Sequence, residues 1–136
     1  MNVDRLLEQF TRWMSIQADV RGMALVGSHA RNAATETSDV DLMILTTNVS
    51  RYVQSHDWIT MFGDVAKHKV EHWGAVTALR VFYKDASEVE YNFALPEWAN
   101  VPTDAGTQQV VSDGMRILFD PDTILQRLQT AVATAE

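Results

Sequence analysis

The chain has 136 residues, of which 46% are hydrophobic and 9% aromatic, enough to build one compact core and too few for two full domains. It has no cysteine, which excludes disulfides, thiolate zinc sites and cysteine nucleophiles. Eleven Lys and Arg against eighteen Asp and Glu leave a net charge of −7, so the chain as a whole repels a phosphodiester backbone, and a small-molecule or protein acceptor is expected ahead of nucleic acid.

In chain order, residues 3–18 carry Leu6, Leu7, Phe10, Trp13 and Met14 at helical spacing, with Asp4, Arg5, Glu8 and Arg12 on the other side, which predicts an amphipathic helix. The opening residues Met1-Asn2-Val3-Asp4-Arg5 lack the basic-then-apolar order of a signal peptide. No apolar run approaches the roughly 18 residues that span a bilayer, so a cytoplasmic protein without a membrane segment is expected. Met23-Ala24-Leu25-Val26 is a short apolar run ended by Gly27, and Val40-Asp41-Leu42-Met43-Ile44-Leu45 is a second one; both fit buried strands. Between them, residues 28–37 are small and polar and are expected to include a short helix. Residues 51–67 predict one or two helices. His68 and His72 stand at i, i+4, a metal-binding spacing on a helix, but no third ligand accompanies them and zinc is not expected.

Residues 75–83 and 88–95 predict two strands joined by the turn Lys84-Asp85-Ala86-Ser87. Pro96 and Pro102 bracket a loop, residues 107–112 are expected to be helical, and Met115-Arg116-Ile117-Leu118-Phe119 predicts a last strand. Asp120 and Pro121 then suit the N-cap and first position of a final helix. The four tryptophans, Trp13, Trp58, Trp73 and Trp98, are expected in the core or at its edge. Helices interleaved with strands, without repeat or linker, predict a single α/β (α+β) domain over residues 1–136, a small mixed sheet flanked by helices.

The chemistry concentrates in residues 27–42. Gly27 permits a sharp turn and close approach of backbone to a ligand. Ser28 beside it offers a hydroxyl and neighbouring N–H groups, a favourable setting for phosphate. Asp39 and Asp41 are two apart on a strand and project from one face. Two such carboxylates repel unless a cation lies between them, and an all-oxygen ligand set selects a hard cation such as Mg²⁺, which also binds phosphates.

This segment resembles the signature of the DNA polymerase β-like nucleotidyltransferase superfamily, Gly-Ser-x-Ala-Arg-Gly-x5-Ser-Asp-x-Asp-Leu. It matches at Gly27, Ser28, Ala30, Arg31, Ser38, Asp39, Asp41 and Leu42 with the spacing intact. Asn32 stands where that family usually has glycine, a mild departure because Asn tolerates left-handed backbone angles. The resemblance implies a third carboxylate on a later strand, flanked by apolar residues. Glu88, Glu90 and Asn92 share one face of the strand 88–95; Glu90 fits that context best and Glu88 is the alternative. Trp58-x3-Phe62-Gly63, the paired strands and Ile117-Leu118-Phe119-Asp120 are also similar to the amino-terminal domain of aminoglycoside adenylyltransferases. The chain stops before the helical domain those enzymes add, and in this it looks like the minimal nucleotidyltransferases, some of which act with a separate helical partner.

What the resemblance implies is Mg²⁺-dependent transfer of a nucleoside monophosphate, AMP from ATP by family habit, to an acceptor hydroxyl with loss of pyrophosphate. In that reading Asp39 and Asp41 hold two Mg²⁺ ions, and Gly27, Ser28, Arg31 and Ser38 bind the nucleotide. Glu90 binds metal or takes the acceptor proton. Lys67, Lys69, Arg80 and Lys84 are further candidates for the triphosphate tail, behind Arg31. The alternatives are a nucleotide-binding module without catalysis and an antitoxin-type partner of a helical protein.

Overall fold

The computed structural model describes residues 1–135. Helix α1 (Val3–Ser15) begins where the Asn2 side chain accepts from the Arg5 backbone N–H at 3.0 Å, and it buries Leu6, Leu7, Phe10 and Met14. Strands β1 (Val20–Val26) and β2 (Val40–Thr46) follow, then the short helix α2 (Val49–Val53) and a 3₁₀ segment, Asp57–Phe62. Strands β3 (Val65–Trp73), β4 (Val76–Tyr83) and β5 (Glu88–Ala94) come next. A 3₁₀ segment Pro96–Ala99, helix α3 (Ala105–Ser112), strand β6 (Met115–Phe119) and helix α4 (Ile124–Ala135) complete the order. The fold is α+β: one mixed sheet ordered β3-β4-β5-β2-β1-β6, antiparallel throughout except for the central pair β2–β5.

Alternation along the strands divides the core between the two faces of this sheet. Leu42, Ile44, Tyr91 and Phe93 face α1 and the segment 57–62, where Phe10, Trp13, Tyr52, Trp58 and Phe62 form an aromatic cluster. Some of its polar tips are satisfied inside: Trp58 Nε1 donates to the Tyr52 carbonyl at 2.9 Å, and the Tyr83 and Tyr91 hydroxyls lie 2.9 Å apart. On the other face Ala24, Val26, Met43 and Leu45 pack against Val111, Leu125, Leu128 and Val132 of α3 and α4. Those helices lie mainly against β1 and β6, and a cavity remains beside them over part of β4 and β5.

Three sequence expectations are corrected. Residues 28–37 form turns and no helix. The stretch 51–67 is helical only to residue 62, because β3 begins at Val65. That strand is an edge, with residues 66–70 exposed on both faces, so it lacks the period-two apolar signal of a half-buried strand; pairing with β4 holds it. His68 and His72 therefore lie on a strand, about 13 Å apart at about 3.3 Å per residue, too far to share an ion. His68 packs instead on the His56 ring, with 4.2 Å between centroids.

The third correction concerns α4, which starts at Ile124 and not at Pro121. Asp120 still caps it, from further out: Oδ1 accepts from the Leu125 N–H at 3.1 Å and Oδ2 from the Gln126 N–H at 2.9 Å. Thr123, at φ 57, makes the intervening turn. Asp120→Ala should cost about 1–2 kcal/mol, as loss of a doubly used cap does, read as a lower melting temperature with unchanged far-UV circular dichroism.

Candidate active site

The parallel pairing of β2 with β5 sets Asp41 directly beside Glu90, while β1 places Val26 on the other side of Asp41. Asp39 lies just before β2 on the same side. One carboxylate oxygen from each of Asp39, Asp41 and Glu90 falls in a group whose members all lie within 4.8 Å of one another. Glu90, and not Glu88, is thus the third member by geometry. Three half-buried carboxylates that close form a donor set suited to a hard divalent cation.

Their proton affinities record the crowding. Burial, then the charges of Asp39 and Glu90, push the Asp41 carboxyl from 3.8 up to about 7. Burial also raises Glu90, against the opposing pull of Arg80. A cation needs the ionised carboxylate, so divalent affinity should fall as pH drops below about 7 and level off above it. Titrating Mn²⁺ at pH 6 and pH 8 checks this; equal affinity at the two would contradict it.

Gly27 ends β1 with φ 74, and an added Cβ would meet Asp41 Oδ2 at 2.4 Å. Glycine is therefore required both for the left-handed turn and for the carboxylate packed against it. The turn closes through Ala30 and Arg31 N–H groups on the Gly27 carbonyl, at 3.1 and 3.3 Å, and the Ala33 N–H on the Ser28 carbonyl at 2.9 Å. Asn32 takes φ 57, the left-handed region for which an Asn is suited. Ser38 braces the loop, its Oγ accepting from the Thr35 N–H at 2.8 Å.

Over the sheet face that carries α3 and α4 lies a cavity of about 610 Å³. Gly27, Arg31 and Asp113 line it at one part, Asp41, Glu90 and Asn92 belong to its floor, and Trp73, Val76, Trp98 and Asp104 line the remainder. Of the sequence candidates, Gly27, Arg31, Asp41 and Glu90 share this cavity; Ser28, Ser38 and Asp39 are not among its lining residues. Asn92 is nearly buried and donates from Nδ2 to the Leu42 carbonyl at 3.0 Å, tying β5 to β2 next to the carboxylates.

The residue whose role the sequence left undistinguished is Arg80. It donates from Nη2 to Glu90 Oε2 at 2.7 Å, from Nε to Glu71 Oε1 at 2.6 Å and from Nη1 to Glu88 Oε1 at 3.1 Å. Its Nη1 also lies 3.6 Å from Asp39 Oδ2. The usable signal was alternation, since Ala78, Arg80 and Phe82 share a face of β4; the cross-strand partner depended on the length of the hairpin loop.

Comparison with known proteins agrees with this architecture. The family model described as streptomycin adenylyltransferase matches residues 2–135. No curated protein matches the chain. Among solved structures, the crystal structure of an aminoglycoside 6-adenyltransferase from Bacillus subtilis superposes with a TM-score of 0.56 at 12% identity, covering 81% of this chain. The chain spans 38% of that structure's length.

Proposed function

The chain belongs to the streptomycin adenylyltransferase family, and from that premise we propose that it transfers a nucleoside monophosphate, AMP from ATP, to an acceptor hydroxyl with Mg²⁺. The observation that carries this reading is the close group of Asp39, Asp41 and Glu90, two of which, Asp41 and Glu90, line a cavity together with Gly27 and Arg31. A Mg²⁺ held by the three carboxylates would neutralise charge on the triphosphate. All other work falls to the chain. The bare backbone at Gly27 admits phosphate oxygens, the Ser28 hydroxyl donates to them, and Arg31 supplies a guanidinium for the departing pyrophosphate.

Glu90 receives the proton of the acceptor hydroxyl. The acceptor oxygen then bonds to the α-phosphorus as the bond to pyrophosphate breaks. Attacking and leaving oxygens lie roughly in line in such a transfer. With the triphosphate tail at Gly27 and Arg31, the acceptor must enter from the end lined by Trp73, Trp98 and Asp104. Beside the two carboxylates assigned to the cation, Asp104 and Asp113 line the cavity against one arginine, which favours a cationic acceptor. Streptomycin, the compound in the family's description, is the first to try. The setting we propose is cytoplasmic, where ATP and Mg²⁺ are both available; no helix among the described residues is long and apolar enough to cross a membrane.

The test is pyrophosphate release and mass gain of the acceptor with each of the four nucleoside triphosphates, with Mg²⁺ and with EDTA. Metal-dependent mass gain of one nucleotide supports the proposal. A melting shift with Mg-ATP but no transfer to any hydroxylated acceptor would sink it in favour of a binding module or of a site completed by a helical partner protein.

A further inference from the structure

Arg80 sits on β4 with Glu90 as its cross-strand neighbour on one side and Lys69 on the other. Its side chain is 18% exposed, and all three guanidinium nitrogens are engaged with carboxylates. Glu71 on β3 fixes the Nε end of the fork, so the Nη atoms are aimed at Glu88 and Glu90 and cannot swing away without breaking that bond. The pairing is strong enough to raise the arginine above its ordinary range, chiefly through Glu71, and to hold the Glu71 carboxyl below its own.

We propose that Arg80 is the positioning residue of the acidic centre, a built-in counter-cation that orients Glu90 and sets how tightly the three carboxylates take a divalent ion. The inference rests on reading Asp39, Asp41 and Glu90 as the metal–nucleotide site. Two consequences follow, of opposite sign. A carboxylate held through Oε2 has its other oxygen fixed in place, and group transfer is sensitive to displacements of an ångström. A fixed positive charge within 4 Å of Glu90 and Asp39 opposes an arriving cation. Loss of Arg80 therefore tightens metal binding, which tolerates a loose carboxylate, and slows transfer, which does not. Lysine keeps the charge but has no planar fork to bridge Glu71, Glu88 and Glu90 together.

The experiment is a Mn²⁺ titration by electron paramagnetic resonance on the whole chain, with Arg80→Met, Arg80→Lys and the exposed-surface control Arg127→Met on α4, followed by transfer assays on each. Arg80→Met should bind Mn²⁺ about tenfold more tightly, as removal of one nearby charge at an effective dielectric between protein and water predicts. Arg80→Lys should keep wild-type affinity, Arg127→Met should stay within about twofold because its charge is solvent-screened, and both Arg80 variants should lose about 100-fold in turnover. Glu71→Gln, which leaves Arg80 less compensated, should weaken Mn²⁺ binding severalfold and gives a readout of opposite sign if Arg80→Met does not fold. Lower melting temperature with Mn²⁺ affinity unchanged in Arg80→Met would overturn the inference, since a merely structural arginine behaves that way. A tenfold gain in Mn²⁺ affinity in a protein that transfers nothing supports the inference and overturns the catalytic reading. Unchanged Mn²⁺ affinity in a protein that transfers normally does the reverse.

Discussion

Asp41→Asn is expected to make the metal-free protein more stable while abolishing nucleotidyl transfer. Asp41 lies between Val26 and Glu90 in the sheet, and burial with two neighbouring carboxylates raises its carboxyl to about 7. The sign follows from linkage. In the unfolded chain the group titrates near 3.8 and in the folded protein near 7, so the folded state holds the proton more tightly. The stabilising contribution is complete below pH 3.8 and is lost as pH rises through about 7. At pH 8 the wild-type protein carries an ionised carboxylate crowded by two others; Asn removes that charge with almost no change of shape.

A gain of about 1–2 kcal/mol is reasonable for relief of one such repulsion, or about 3–6 °C of melting temperature in a domain of this size. The gain should shrink toward pH 5, where Asp41 in the wild type is already protonated. The same variant loses one of the three proposed metal ligands, so the melting shift on adding Mg-ATP should vanish and turnover should fall at least about 1000-fold, the scale of a lost metal-centred electrostatic contribution. A variant less stable than wild type at pH 8, or one that keeps its turnover, would refute this account of the site. The group proposed to carry the chemistry is thus expected to cost stability.

Gly27→Ala is the second large effect. Its Cβ would lie 2.4 Å from Asp41 Oδ2 at a backbone φ of 74. The left-handed backbone alone costs about 1–2 kcal/mol for a residue with a Cβ, and forcing a packed neighbour to move adds about 1–3 kcal/mol. The sum predicts a fall of about 10 °C in melting temperature and loss of divalent binding as Asp41 is displaced. Gly74→Ala separates the two contributions: it has φ 61 but nothing within 4 Å of its added Cβ, so only the backbone cost applies. Equal losses at the two glycines would show that contact with Asp41 is not what makes Gly27 necessary.

Much of the site lies in short-range physics. The glycine before a polar loop, the two aspartates two apart and the face shared by Glu88, Glu90 and Asn92 each follow from neighbouring residues and the period of a strand. The element order was legible for the same reason wherever apolar residues recur at a clear period, as in α1 and β2. It failed where that signal is missing. Edge strand β3, exposed along most of its length, carries no alternation, and its Lys67 to His72 stretch reads equally well as a polar helix. The capping of α4 was legible as a residue, Asp120, but not as a boundary, because the cap reaches over a left-handed Thr123.

Arg80 shows what a turn can hide. A four-residue loop at Lys84-Asp85-Ala86-Ser87 would set Arg80 across from Tyr91 and turn its side chain away from the carboxylates. The hairpin closes instead with the Tyr83 N–H on the Ser87 carbonyl at 2.8 Å, around a three-residue loop with Ala86 at φ 73, a usual hairpin form. That one-residue difference sets Arg80 opposite Glu90, since a slip of one residue reverses the face of every side chain.

By itself the sequence determined the class of the protein and the chemistry of its parts: a cysteine-free acidic domain with a glycine turn, two aspartates on one strand face and a glutamate-bearing strand later on. Those properties depend on residue type and on spacing within a single element. Only the tertiary structure decided that Glu90 and not Glu88 joins Asp41, that Arg80 binds the same group, and that α3 and α4 leave a cavity over part of β4 and β5. Each of these rests on pairings between strands distant in the chain, β2 with β5 above all, whose register is fixed by cross-strand packing and loop geometry that no single segment contains.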